Sequence, residues 1–327
     1  MTDYKARVAE FAGQYQEVVK QIGQVIVGQR QVVTDLLKTV FAGGHSLIEG
    51  VPGLGKTLLV QTLGDVFQLK TSRIQFTPDL MPTDILGTNL ILEDEKGRKF
   101  WQFQRGPVFA QIVLADEINR ATPKTQSAML QAMQERNVTI AGHTYQLDEP
   151  FFVLATQNPI EMEGTYPLPE AQIDRFLTKI FINYPSQEEL ASILDQTTGV
   201  RHAKAQKVLD SPQILAAQQL AAEIPVPDRV REAISKLVFA THPDSPLATD
   251  AVKKYIRYGS SPRGGQALMR TARVGALVDG RYSVGLDDVR DALFICLRHR
   301  LLLSFEGQAE GVKPDDILDE LAKKALK

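Results

Sequence analysis

The sequence predicts an α/β fold, a five-stranded parallel sheet with helices on both faces, followed by an all-helical region. Three observations carry this. Five short apolar runs recur with amphipathic stretches between them, the alternation stops after Ile182, and the remainder is helix-periodic to the end. A chain of 327 residues is long enough for two units, each burying its own core.

Taken in order, the helix Gln29–Phe41 precedes a first strand run, His45–Glu49, and the amphipathic helix Lys56–Phe67 follows it. Further strand runs are Arg73–Thr77, Ile112–Ala115, Phe151–Thr156 and Lys179–Ile182, with a second amphipathic helix at Thr122–Glu135. Two segments break the alternation. Asn89–Phe103 alternates apolar and polar residues around Asp94-Glu95-Lys96-Gly97, and Val138–Leu147 does so around Ala141-Gly142-His143. Both read as β-hairpins inserted beside the sheet rather than as members of it. Asn183-Tyr184-Pro185 then interrupts the chain, and Ser186 with Glu189 forms a capping box that opens a helix. The helices expected beyond it are Glu188–Thr198, Ser211–Glu223, Pro227–Ala240, Thr249–Tyr258, Arg263–Asp279 and Asp287–Leu303. The expected division is 1–185, an α/β unit with an N-terminal helix, and 186–327, a helical unit.

Bulk composition excludes several classes. The formal net charge of −2 gives no global field that would recruit nucleic acid or anionic lipid. The longest apolar run, Ala292–Leu297, is too short to span a bilayer, and MTDYKARVAEF lacks the layout of a signal peptide. One cysteine, Cys296, excludes an internal disulfide framework and fits a core position in a reducing compartment, so the expected location is cytoplasmic. The five histidines, His45, His143, His202, His242 and His299, show no metal spacing, and no zinc is expected.

The chemistry begins at Gly50-x-x-x-x-Gly55-Lys56-Thr57, between a strand run and a helix. Glycines at 50, 53 and 55 let backbone N–H groups converge on a phosphate that a Cβ would obstruct, and the helix starting near Lys56 points its positive end there. Lys56 supplies a point charge for β- and γ-phosphates and Thr57 a hydroxyl ligand for Mg²⁺. Asp116 and Glu117 follow the apolar run Ile112–Ala115. Asp116 would hold Mg²⁺ through its water shell, and Glu117 would polarise an attacking water as general base. ATP and Mg²⁺ are the implied ligands, and water the acceptor.

With those residues in view, GVPGLGKT, LADEINRATPKTQSAMLQAMQE and ATQNPIEMEGTYPLPEAQIDRF resemble the MoxR family of AAA+ ATPases, over about Val25 to Arg281. The resemblance implies the helix-2-insert group, to which the two hairpins correspond. It implies nucleotide contacts at Gly28 and Gln29, within a segment that lies over the adenine, and along Pro52, Gly53, Leu54, Gly55, Lys56, Thr57 and Leu58. It implies that Asn158 is sensor 1, orienting the lytic water, and that Arg175 is an arginine finger offered in trans to the nucleotide of a neighbouring subunit. Arg263, at the start of a helix of the lid, corresponds to sensor 2. A finger acting in trans implies a homo-oligomer, a hexameric ring by analogy. The family further implies chaperone-like action on a protein client, a partner carrying a von Willebrand factor A domain, and metalloenzymes needing cofactor insertion among the targets. Arg120 has no assigned role and is expected to meet a neighbouring subunit, Glu135 or Asp174. Trp101, Phe103, His143 and Tyr145 on the hairpins either grip a polypeptide in a pore or pack the hairpins down, the latter being the commoner fate of aromatics.

Two other functions fit parts of the pattern. A nucleic-acid motor would want clustered Lys and Arg; the first hairpin carries only Lys96, Arg98 and Lys99, and Val138–Leu147 carries neither type. A nucleotide-gated scaffold with little turnover would not need the full hydrolytic set.

Overall fold

The computed structural model describes residues 2–158, 164–198 and 203–326. The part of the third motif at 159–163, and His202, lie outside the described residues. In chain order, α1 (Thr2–Val25) and α2 (Arg30–Phe41) precede β1 (Ser46–Glu49), and α3 (Lys56–Phe67) leads to β2 (Thr71–Gln75). A short α4 (Pro82–Leu86) opens the hairpin β3 (Gly87–Glu93) and β4 (Lys99–Arg105). Then come β5 (Ile112–Asp116), α5 (Pro123–Glu135) and a second hairpin, β6 (Asn137–Ile140) and β7 (His143–Gln146). The strand β8 (Phe152–Gln157), the short α6 (Glu170–Ile173) and β9 (Thr178–Phe181) complete the α/β part. The helical part comprises α7 (Gln187–Thr198), α8 (Ser211–Glu223), α9 (Asp228–Ala240), α10 (Asp250–Tyr255), α11 (Pro262–Val278), α12 (Leu286–Leu297), α13 (Phe305–Ala309) and α14 (Pro314–Ala325). A small ribbon, β10 (Ile256–Tyr258) and β11 (Leu302–Leu303), is set among them.

The sheet is parallel in the order β2-β5-β8-β1-β9. Alternate residues of the central strands feed two cores. Ile48, Leu114 and Leu154 face one that includes α1, α2, α3 and the C-terminal helices, while Leu47, Val113 and Val153 face another under α5 and the hairpin bases. Strands buried on both faces need apolar residues at every position, which is why they read as runs rather than alternations. The first core is continuous from the sheet into the helical part through Ile214, Leu268 and Leu293. Phe41 sits edge-on between Phe11 of α1 (4.9 Å between ring centres) and Phe67 of α3 (6.0 Å), clamping the N-terminal helix onto the sheet.

Both hairpins are separate two-stranded sheets, as the alternation predicts. At the neck of the first, a Cβ on Gly106 would lie 2.6 Å from the Gly87 nitrogen, so only glycine permits the strands to approach there. Ser186 and Glu189 form the expected capping box, Ser186 N–H donating to Glu189 Oε2 (2.9 Å) and Glu189 N–H to Ser186 Oγ (3.2 Å). Cys296 is buried as expected, and its burial pushes the thiol up to about 11.

Three expectations need correction. The second strand starts at Thr71 and ends at Gln75, two residues earlier than the run Arg73–Thr77. The helix expected over Thr249–Tyr258 stops at Tyr255, and the one expected over Asp287–Leu303 stops at Leu297. In both cases the last residues form the ribbon, Ile256 pairing with Leu303 and Tyr258 with Leu302. That pairing joins segments distant in sequence, so tertiary contact overrides helical periodicity.

Candidate active site

The order of the sheet places the ends of β5, β8 and β1 side by side at one edge, where the functional loops of open parallel sheets converge. Asp116 ends β5, Asn158 follows β8, and the glycine loop follows β1. A cleft of about 230 Å³ there is lined by Pro52, Gly53, Leu54, Gly55, Lys56, Thr57, Arg73, Asp116, Glu117 and Asn158. Of the residues expected around the phosphates and the metal, Gly53, Gly55, Lys56, Thr57, Asp116, Glu117 and Asn158 line this cleft, while Gly50 and Leu58 do not.

The loop fits a phosphate. Gly53 (φ 83°) and Gly55 (φ 76°) are left-handed, and a Cβ on either would meet no atom within 4 Å, so their backbone faces open space. Gly50 is needed for a different reason than the phosphate: a Cβ there would come within 2.8 Å of the Ile182 carbonyl oxygen. Lys56 donates to the Gly50 carbonyl across the loop (2.7 Å). Its half-burial lowers its pKa, opposed by the nearby charges of Asp116 and Glu117.

The acidic pair is held from three directions. Thr156 Oγ1, buried on β8, donates to Asp116 Oδ1 (2.7 Å) and accepts from the Glu117 amide (2.8 Å). Arg73 on β2 reaches Asp116 Oδ2 through Nη2 (2.7 Å) and Nε (3.1 Å), and its Nη2 also donates to Gln75 Oε1 (2.6 Å). Gln75 Nε2 in turn donates to Glu117 Oε2 (2.8 Å). Arg120 also donates to Glu117 Oε2 (2.9 Å), the acid three residues before it, a partner the sequence did not suggest. Glu117 is left-handed (φ 56°, ψ 49°), a conformation that costs a non-glycine residue roughly 1–2 kcal/mol. Such an outlier at the end of a strand marks a residue whose aim matters.

A more apolar recess of about 260 Å³ shares Gly53, Leu54 and Gly55 with the phosphate cleft and extends to Val25, Ile26, Val27, Gln29 and Leu58. This is where the segment expected over the adenine lies. Gln29 Nε2 donates to the Leu54 carbonyl (3.3 Å), tying that segment to the loop. Gly28 (φ 66°) turns the chain against α7, where a Cβ would lie 2.6 Å from Glu189 Cδ. Tyr184, Pro185, Leu190 and Ile193 form the opposite wall and were not anticipated. The spacing of Leu190 and Ile193 on α7 is the one signal that could have indicated them.

Arg175 and Arg263 are elsewhere. Both line a cleft of about 240 Å³ with Arg136, Arg270 and Arg300, which shares no residue with the phosphate cleft. Arg263, expected as sensor 2, lies beside Arg175 in this cleft and does not line the phosphate cleft of its own chain. The cause is Asp174: its Oδ2 accepts from Ser261 Oγ (2.8 Å) and its Oδ1 from Arg300 Nε (2.8 Å). Ser261 caps α11 and Arg300 is buried, so the start of that helix is pinned beside Arg175.

The hairpin aromatics divide. Phe103 stacks on Tyr145 (4.2 Å, 25°) and meets Phe109 edge-on (5.7 Å), joining the two hairpins to each other. Trp101 is 69% exposed, opposite Ile91, which is also exposed.

Residues 45–178 match the family model described as ATPase family associated with various cellular activities (AAA), and residues 248–321 match that of the AAA lid domain. The chain is 43% identical over 306 residues to Chaperone MoxR1 of Mycobacterium tuberculosis, covering 94% of this chain and 80% of that one. It is 30% identical to Protein MoxR of Paracoccus denitrificans over 94% of this chain and 95% of the relative. A crystal structure from Cytophaga hutchinsonii superposes with a TM-score of 0.92 at 38% identity, covering 99% and 97% of the two chains.

Proposed function

The chain belongs to the MoxR family of AAA+ ATPases, and from that premise we propose that it hydrolyses ATP to ADP and phosphate in a hexameric homo-oligomeric ring and acts, chaperone-like, on a protein client. The observation that carries this reading is that Lys56, Thr57, Asp116, Glu117 and Asn158 line one cleft at one edge of the sheet.

ATP would supply the scissile phosphoanhydride, and Mg²⁺, which Thr57 and Asp116 would hold, would offset the negative charge of the phosphates. The rest is done by the chain. Loop N–H groups around Gly53 and Gly55 cradle the phosphates, and Lys56 exchanges the Gly50 carbonyl for a phosphate oxygen. Thr57 and Asp116 hold the metal. Glu117 takes the proton of the attacking water, and Asn158 orients that water. Arg175 and Arg263, adjacent in their own cleft, reach the nucleotide of the neighbouring copy. The units 1–185 and 186–327 move against each other with turnover, and the client work follows from that movement. The partner we propose carries a von Willebrand factor A domain, and the clients include metalloenzymes that receive a cofactor.

Phosphate release by the wild type and by Glu117→Gln tests the reading. Loss of the general base lowers turnover roughly a hundredfold or more while nucleotide binding survives. Equal rates near background in both proteins would reject the enzyme. The same variant, held in its ATP state, is the bait for capturing the partner and the client from the native cell.

A further inference from the structure

Arg73 belongs to no motif, yet it lines the phosphate cleft. On β2, Ile74 is buried while Arg73 and Gln75 alternate with it, and Gln75 is in register with Asp116 on the neighbouring strand. That register brings the guanidinium to the acid at the end of β5. Both oxygens of Asp116 are therefore occupied by the protein itself. Oδ1 is taken by Thr156 within the core, and Oδ2 by two nitrogens of Arg73. With Oδ1 committed to the buried hydroxyl, Oδ2 is the oxygen that a metal or its water shell would reach once the Arg73 guanidinium, which now holds it, moves off. Gln75 Oε1 steadies the guanidinium, and the Arg73 side chain is 51% exposed, so it is free to swing away within the cleft.

We propose that Arg73 is the resident counter-ion of Asp116, a stand-in that yields this carboxylate to Mg²⁺, and that it thereby sets how strongly nucleotide binding depends on the metal. The inference rests on the nucleotide-binding reading above. Without metal, the ion pair spares an incoming triphosphate the repulsion of an uncompensated carboxylate beside Glu117. With metal, the charge of Asp116 is compensated anyway, and Arg73 becomes dispensable at that oxygen. Removing Arg73 must therefore weaken metal-free binding more than metal-loaded binding.

The test is equilibrium binding of a fluorescent ATP analogue to the full chain, in EDTA and in saturating Mg²⁺, read as the ratio of the two Kd values. Arg73→Gln and Arg73→Met are both used, so that misfolding of one, seen in its thermal melt, leaves the other to decide. The ratio rises about tenfold in the neutral variants, as expected for one lost hydrogen-bonded contact to a largely buried carboxylate, and stays within about threefold of wild type in Arg73→Lys. A merely structural role would weaken binding equally in both conditions. An unchanged ratio in the neutral variants overturns this inference alone. A wild type that binds no nucleotide with Mg²⁺ overturns the proposed function together with it.

Discussion

Thr156 Oγ1 donates to Asp116 Oδ1 at 2.7 Å and accepts the Glu117 amide at 2.8 Å, so one buried hydroxyl aims both acids. Thr156→Val removes the donor and leaves the amide without a partner inside the protein. A lost hydrogen bond to a charged group is worth roughly 1.5–3 kcal/mol. Turnover is expected to fall about tenfold or more, with Mg²⁺-dependent nucleotide affinity reduced as well. Steady-state phosphate release alongside nucleotide binding checks this; unchanged values in both would remove the positioning role.

The adjacency of Arg175 and Arg263 makes a sharp prediction about subunit mixing. Arg175→Ala and Glu117→Gln are each expected to be inactive alone. Mixed, they recover part of the activity, because some interfaces join an intact Glu117 to an intact Arg175. Arg263→Ala mixed with Glu117→Gln recovers activity in the same way, whereas Arg263→Ala mixed with Arg175→Ala recovers much less. If Arg263 served its own chain's nucleotide, that last mixture would recover activity to the same partial extent as the other two.

His45 governs stability in acid. Its Nδ1 accepts from the Val153 amide (3.1 Å) and its Nε2 lies 3.0 Å from the Met133 carbonyl, a pairing suited to the neutral ring. Burial lowers its pKa to about 4, from an ordinary 6.5. Between those values the unfolded chain binds the proton more tightly than the folded one. The stabilisation is therefore fully present above about 6.5 and is lost as pH falls through about 4, on the order of 3 kcal/mol. Asp35, whose burial raises its pKa to about 6, works in the opposite sense over part of this range. Denaturant midpoints of wild type and His45→Asn across pH 4–7 isolate the contribution: the variant's profile should slope less steeply toward acid.

Among the hairpin aromatics, Trp101, the only tryptophan of the chain, is strongly exposed. Trp101→Ala should leave thermal stability within about 0.5 kcal/mol of wild type, as surface changes do, while Phe103→Ala breaks the stack on Tyr145 and costs roughly 1 kcal/mol or more. Wild-type tryptophan emission is expected to be water-like, readily quenched by iodide, and shifted to the blue when an unfolded polypeptide binds. A buried-type spectrum in the free protein would contradict this.

Much was legible in the chain itself. Strand runs, the phosphate loop, the acidic pair and the hairpin turns are local: each depends on residues within a few positions, so glycine placement, apolar runs and capping pairs reveal them directly. Lys56, Thr57, Asp116 and Glu117 stand where those local rules put them, at the ends of parallel strands, and Asn158, which the family resemblance alone indicated, lines the same cleft. What tertiary structure alone decided is the company each residue keeps. Arg73 meets Asp116 only because β2 and β5 are neighbours, Thr156 lies beneath both acids only because β8 is the next strand over, and Arg263 joins Arg175 only because Asp174 ties Ser261 and Arg300 together. The ribbon that cut two helices short pairs segments distant in the chain. Periodicity reports which face of an element is buried, but the identity of the neighbour across that face is set by the packing of the whole molecule.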